Sequence, residues 1–293
     1  MATIARLVLA GKGNTHPGKN SRSTSVVLKK QYSALENLLN AESGKRHFNF
    51  LLTPAGFLTF PFPEELKGHS WVELHKQQLI NQFQKEAEKQ LREFIGDLQP
   101  KLKEFTDFLV IGIDSTCWEK DKNGKKKVIM GIELVAVYDT AQKTIHWTGK
   151  SYPTNRQKRT LIRIKDIDTH FITLNGQKVL LLDCNDLTAF SPRVIKNTQK
   201  DSDIGRIVHP ICRKSKKFDP EIVLHLAHST DTPATWKAKW NRLTELMHDV
   251  KLYATGINYS RVEKEPRKDL DSVLQKTSCG DVVNFDVKGR EIK

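Results

Sequence analysis

Residues 179–182 read Val-Leu-Leu-Leu, an apolar run without alternation that ends at Asp183-Cys184. A strand of this kind cannot lie on a sheet with one face in water, because every side chain on both faces needs cover. Ile222–Leu226 is a second near-continuous apolar strand. Amphipathic helical patterns stand between such strands. Trp71, Leu74, Leu79, Phe83, Ala87, Leu91 and Phe94 recur at roughly helical spacing, with charges between them, over residues 71–95. Thr235–Val250 repeats the pattern with Trp236, Trp240, Leu243, Leu246 and Met247 on one face. A chain of this type folds as an α/β protein with helices packed on its sheet.

The remaining segments fit that rhythm. Ile4–Ala10 reads as a strand, Gly11–Ser25 as a polar loop, Tyr32–Leu39 as helix, and Phe48–Leu52 as a strand stopped by Thr53-Pro54-Ala55-Gly56. Strands are expected at Phe108–Ile113, Val128–Tyr138 (long enough for a bend or bulge), Ile145–Trp147, Tyr253–Asn258 and Val282–Val287. Asn123-Gly124 supplies a turn between the first two. Segments 196–220 and 259–278 are polar and basic with little periodicity, and read as loop insertions. No repeat and no sharp compositional break is present, so residues 1–293 are expected to form a single domain.

Composition narrows the function classes. No apolar stretch reaches the roughly 18 residues of a membrane span, and the first ten residues read as a strand rather than a secretory signal. The four cysteines, Cys117, Cys184, Cys212 and Cys279, form no CxxC pair. That argues against a zinc ribbon or a disulfide framework and fits a reducing, cytoplasmic setting. The net charge of +14 is compatible with phosphorylated small molecules, nucleic acid or an acidic partner. Its clumps, Lys125–Lys127, Arg156–Arg159 and Lys214–Lys217, lack the aromatic interleaving of an RNA-binding motif and read first as solvated surface.

The chemistry-bearing candidate is Cys184. A cysteine where a buried strand runs into a turn can have its thiolate favoured by backbone N–H groups and a helix N-terminus; the alternative is an inert buried cysteine. His225 and His228 are three apart around a strand end, with Asp231 following. Strand residues three apart face opposite sides, so they read as structural rather than metal-binding. Ser229-Thr230-Asp231 reads as loop and cap chemistry, and Trp236 and Trp240 as core or interface.

The stretch Leu182-Asp183-Cys184-Asn185-Asp186-Leu187, with Phe190 and Pro192 downstream, resembles the nucleophile turn of the carbon–nitrogen hydrolase (nitrilase) family. Lys150, thirty-four residues earlier in His146-Trp147-Thr148-Gly149-Lys150, fits the place of that family's catalytic lysine. The order of strand, tryptophan-bearing helix and strand after the cysteine is similar too. The resemblance, which runs from about residue 4 to 287, implies a four-layer α-β-β-α sandwich of two mixed sheets. It implies Cys184 as nucleophile, Lys150 as oxyanion stabiliser, and Asn185, Asp186 and His228 at the substrate. Leu51-Leu52-Thr53-Pro54-Ala55-Gly56-Phe57 resembles the segment that supplies the general base, but the glutamate position is Ala55. No acid follows within eight residues of Lys150, where a second family glutamate stands. Glu64 and Glu65 are considered as a displaced base, though Phe-Pro-Glu-Glu reads more simply as a surface helix start.

Three functions follow. The leading one is cysteine-dependent hydrolysis of a non-peptide C–N bond in a small amide or nitrile, impaired at the base position. The second is a catalytically silent nitrilase-like module that binds a small ligand or partner. The third is a basic nucleotide- or nucleic-acid-binding protein. The expected partners are a small molecule and, by resemblance, further copies of the chain as a homodimer or larger assembly. No cofactor, metal or membrane is called for.

Overall fold

In the computed structural model the protein is described over residues 2–10, 24–70, 72–120, 123–124, 126–230, 233–259 and 266–292. Most of the expected Gly11–Ser25 loop, together with Trp71, Lys125 and Asp231, lies outside these residues. The strands are β1 (Ile4–Ala10), β2 (Phe48–Leu52), β3 (Leu58–Thr59), β4 (Thr106–Lys120), β5 (Lys126–Asp139), β6 (Ile145–Gly149), β7 (Leu161–Ile162), β8 (Phe171–Leu174), β9 (Gln177–Asp183), β10 (Ile222–Leu226), β11 (Leu252–Tyr259), β12 (Ser278–Cys279), β13 (Val282–Phe285) and β14 (Glu291–Ile292). The helices are α1 (Thr24–Glu42), α2 (Gln77–Ile95), α3 (Gln99–Phe105), α4 (Pro192–Asn197), α5 (Gly205–Phe218), α6 (Pro233–Leu246) and α7 (Pro266–Lys276).

Hydrogen bonding links the strands in one continuous path, β6-β5-β4-β2-β1-β11-β10-β9-β8, rather than two separate sheets. The central pairs are parallel, while β4–β5, β5–β6 and β8–β9 are antiparallel. Alternation of side chains shows how the path curls. Phe108 and Val110 of β4 and Val135 and Val137 of β5 share one core with Val179 and Leu181 of β9 and with Ile222, Leu224 and Leu226 of β10. The intervening residues face outward. Leu109, Ile111 and Ile113 pack under α1, α2 and α3, and Leu180, Leu182 and Val223 pack under α5 and α6. Cover on both faces is why these strands are apolar throughout.

The mid-chain helix is shorter than the periodicity predicts. Glu73–His75 forms a separate short turn, and α2 begins at Gln77. A bulge does occur in β5: Cys117 pairs with Met130 but Trp118 with Val128, leaving Ile129 as the extra residue. The two supposed loop insertions need correction. Residues 205–218 form α5, whose Ile207, Val208, Ile211 and Ser215 are buried. Residues 266–276 form α7, which buries Val273 and Leu274 against β1 and β11. In α5 dense basic residues obscure a narrow apolar stripe, and in α7 the stripe is short, limited to Leu270, Val273 and Leu274. Among the described residues, no helix is long and apolar enough to cross a membrane.

Candidate active site

The carboxyl ends of the parallel strands converge on one place, where sheets of this type present their ligand-binding residues. The turn after β2 holds Ala55, Lys150 follows β6, Cys184 follows β9 and His228 lies just beyond β10. Lys150 is 1% exposed, and its Nζ lies 2.6 Å from Glu133 Oε2. His228 Nε2 lies 2.8 Å from Asp114 Oδ2, and its Nδ1 is 3.5 Å from Glu133 Oε2. The imidazole also lies near enough to the Cys184 thiol to lower its pKa.

Asp114 and Glu133 are direct cross-strand partners on β4 and β5. Two like charges opposite one another destabilise a ladder. Here the His228 imidazole reaches both and the Lys150 ammonium pairs with Glu133, which offsets that cost. Gln157 Nε2 donates to the other Glu133 oxygen at 2.5 Å. These two acids were missed from sequence. Their signal is an isolated carboxylate inside an otherwise apolar strand, in Phe-Leu-Val-Ile-Gly-Ile-Asp114 and in Met-Gly-Ile-Glu133-Leu-Val-Ala-Val.

The backbone around the thiol is fixed by buried polar groups. His225 is fully buried and its pKa falls to about 3 through desolvation, so the ring is neutral. Its Nε2 contacts the Cys184 carbonyl at 2.8 Å and therefore carries the proton. Nδ1 then accepts from the Thr255 hydroxyl at 3.1 Å, and that hydroxyl accepts from Trp240 Nε1 at 2.9 Å. Asp186 accepts from the backbone N–H groups of Ser151 and Tyr152 through one oxygen, at 3.0 and 2.6 Å, and from Asp183 N–H through the other at 3.1 Å. It thereby ties the segment after Lys150 to the segment that carries Cys184. This corrects the expectation of a substrate contact: Asp186 is fully buried, with both oxygens engaged by main chain.

Electrostatics distinguishes Cys184 from two other cysteines. Burial raises the Cys117 thiol and pushes Cys212 up to about 12. Burial would raise Cys184 as well, but the charges of Lys150 and His228 and the His228 hydrogen bond outweigh it, and the thiol pKa is lowered. Desolvation opposes charge on His228, yet Glu133, Asp114 and Cys184 hold its pKa well above the ordinary histidine value. Lys150 is raised in the same way, chiefly by Glu133 against desolvation. Asp183 is raised well above the usual carboxylate range by burial and by Glu133. The set favours a thiolate next to an imidazolium.

Ala55 lies in the turn beside this cluster, and its side chain belongs to the apolar core between the two halves of the sheet. Gly56, at φ +61°, packs so closely that a Cβ there would meet Asp114 Oδ2 at 2.7 Å and His228 Cδ2 at 3.3 Å. The His228–Asp114 pair thus fills the space beside the turn. Glu64 and Glu65 are exposed on a short surface turn, with Glu64 paired to Lys67, and are no part of the site. Asn185 borders a cavity of about 590 Å³ with Tyr152 and Lys158. Its amide already donates to Pro153 O and accepts from Thr188. Glu133, Asp183 and His228 each bring one donor atom within 4.8 Å of the others. The Lys150 ammonium already supplies a cation to Glu133, so the donor set is built around a fixed charge of the chain itself.

An α/β protein with a curled mixed sheet and a cysteine–histidine–carboxylate–lysine cluster at the strand ends is what the chain defines. No family model and no curated protein sequence matches it. Among solved structures it is similar to a Nesterenkonia AN1 amidase of the nitrilase superfamily, at 12% identity over 87% of this chain and 75% of that one, with a TM-score of 0.45. It is also similar to a carbon-nitrogen hydrolase from Helicobacter pylori G27, at 12% identity over 99% and 84% and a TM-score of 0.42. NitN amidase of the same Nesterenkonia source matches at 14% identity over 99% and 87%, also at 0.42.

Proposed function

We propose that the chain is a thiol hydrolase of small amides, cleaving a non-peptide C–N bond at Cys184. The observation that carries this reading is the Cys184 thiol, its pKa lowered by His228 and the buried Lys150, beside an imidazole whose Nε2 is held by Asp114. A nucleophile, a base and an orienting acid in hydrogen-bond contact are the requirements of covalent acyl transfer.

The Cys184 thiolate attacks the amide carbon, forming a C–S bond as the carbonyl π pair moves to oxygen. Lys150 balances the oxyanion. When the oxyanion collapses, the C–N bond breaks and the leaving nitrogen takes the imidazolium proton of His228. Neutral His228 then removes a proton from water, whose oxygen attacks the thioester. The thiolate leaves, and the carboxylic acid departs. Asp114 orients His228, and Glu133 holds Lys150. In this scheme His228 carries the proton that the vacant position 55 cannot, so activity is not impaired by Ala55. The curled sheet with helices on both outer faces is read as the four-layer arrangement that presents these groups at its rim.

The test is ammonia release from a panel of small carboxamides by the chain as it stands, with Cys184→Ala as control. Turnover with a transient acyl adduct on Cys184 by intact mass is expected, and His228→Asn should lower the rate by about 10²–10⁴-fold. Turnover that survives Cys184→Ala would sink the mechanism. Turnover that appears only after Ala55→Glu would instead return the base to position 55.

A further inference from the structure

Helix α5 and the short helix before it carry a positive face that the catalytic scheme leaves unused. From Arg193 to Lys217 the chain has eight basic residues against two acids. One of those acids, Asp203, is already paired with Arg163 from another segment. The buried positions of α5, Ile207, Val208, Ile211 and Ser215, mark its inner side. At about 100° per residue, Arg206, Arg213 and Lys217 fall on the opposite side in one stripe, with roughly 10 and 6 Å of helix axis between them. All three are exposed, and none forms an ion pair among the described residues.

The face is rigidly held and has a neighbour. Val194 and Ile195 of α4 pack on the same core as Val208 and Ile211, so the exposed Arg193 and Lys196 are turned outward in the same layer. His209 Nε2 meets Thr198 O at 2.9 Å, and Gly205 packs against Gln199 O with no room for a Cβ, which ties α5 to the segment after α4. Where α5 begins, Ser202 and Ile204 border the cavity of about 590 Å³. Asn155, Asn197 and Gln199 line it with exposed side-chain amides, Lys158 adds a cation, and the half-buried Tyr152 supplies an aromatic ring.

Charge and lining together select the partner. A lipid surface needs apolar anchors beside the cations, and the large exposed apolar side chains among the described residues, Val72 and Trp118, belong to other segments. A row of cations beside a polar cavity with an aromatic ring matches instead a polyanion that carries flat, hydrogen-bonding groups. A duplex keeps its bases stacked, whereas a single strand can turn one out. We propose that this face binds single-stranded RNA, with phosphates along Arg206, Arg213 and Lys217 and one unstacked base in the cavity. The base stacks on Tyr152. The amides of Asn155, Asn197 and Gln199 meet its edge and the ribose 2′-hydroxyl, the group that separates RNA from DNA. The inference does not depend on the chemistry at Cys184.

The test titrates the full chain into a labelled oligouridylate of about twelve nucleotides, read by fluorescence anisotropy over a series of salt concentrations. The combined variant Arg206→Gln, Arg213→Gln, Lys217→Gln should weaken binding more than about tenfold at low salt and reduce the slope of log affinity against log salt by about 2. Tyr152→Leu, which keeps an apolar side chain at that position, should weaken binding about tenfold with the slope unchanged. The matching oligodeoxyuridylate, the RNA paired in a duplex, and inorganic polyphosphate of equal charge should each bind more weakly than the single-stranded RNA. Circular dichroism of each variant confirms folding. Equal or tighter binding of any of these three competitors overturns the assignment, as does a salt slope indifferent to the three substitutions. Binding to phosphatidylserine vesicles in the absence of RNA binding gives the face to lipid instead and overturns it as well.

Discussion

The reactivity of Cys184 is a balance between burial, which favours the neutral thiol, and two adjacent cations, which favour the thiolate. Removing one cation shifts that balance in a fixed direction. In His228→Asn, the midpoint of iodoacetamide alkylation of Cys184 should move to higher pH, measured by peptide mass after timed labelling. A midpoint unmoved or lower would mean that His228 does not act on the thiol. His225, which holds the Cys184 carbonyl, governs acid stability. Its folded pKa of about 3 lies below its ordinary value of 6.5, so between the two the unfolded chain binds the extra proton. The contribution is complete above about pH 6.5 and is lost as pH falls toward 3, with a slope of up to about 1.4 kcal/mol per pH unit. Urea unfolding across pH 4–7 should show a shallower acid loss in His225→Gln. Cys184 was legible in the sequence because it ends an apolar strand, and Lys150 and His228 were legible only through the family resemblance. The roles within the cluster were not, since Asp114 and Glu133 meet only through the β4–β5 register.

Among the elements, the turn after β2 is the most tightly confined. It lies between Gly112 of β4 and Gly256 of β11: a Cβ at Gly112 would stand 2.6 Å from Ala55 Cα, and one at Gly256 only 2.2 Å from Thr53 O. Gly256→Ala must therefore separate β11 from this turn. Overpacking of this kind costs about 1–3 kcal/mol, and because Gly56 backs Asp114 and His228 the cost should extend to the site. Chemical denaturation should show the destabilisation, together with slower alkylation of Cys184 near neutral pH; native stability would contradict the confinement. Strands were read well because their apolar runs are unbroken. The β8–β9 hairpin was passed over although Asn175-Gly176, both at positive φ, is a turn signal of the strongest kind. Helix α5 was passed over because basic residues crowd its sequence while one stripe decides burial, and α7 because its apolar residues are few and lie close together in the sequence.

At the scale of the whole molecule, β1 joins the two halves, pairing with β2 on one side and with β11 and β13 on the other. Its Arg6 is fully buried. The guanidinium donates to Asn284 Oδ1 at 2.7 Å, to the carbonyls of Thr255, Thr277 and Leu274, and to the Thr277 and Ser278 hydroxyls. Two of those carbonyls lie at the carboxyl end of α7, where a cation is favoured. Arg6→Met would leave several acceptors buried and unmatched. A loss of about 3–5 kcal/mol is expected, read from urea midpoints, and a loss under about 1 kcal/mol would show that water takes over these bonds. This arrangement was beyond sequence reading, because an arginine in a short strand gives no hint of partners some 270 residues away.

The central place of β1 also sets an order of events. During synthesis β1 finds β2 within about forty residues, but its opposite edge stays open until β11 and β13 have been made. Contacts of such sequence separation close slowly, and an open apolar edge is the feature through which nascent chains associate with one another. Cys184 emerges before that edge is sealed, while His228 and the β11 partner of the turn emerge after it. Lys150 is made before the thiol, but His228 follows it by 44 residues, so the nucleophile gains its imidazole partner only once β10 has been added.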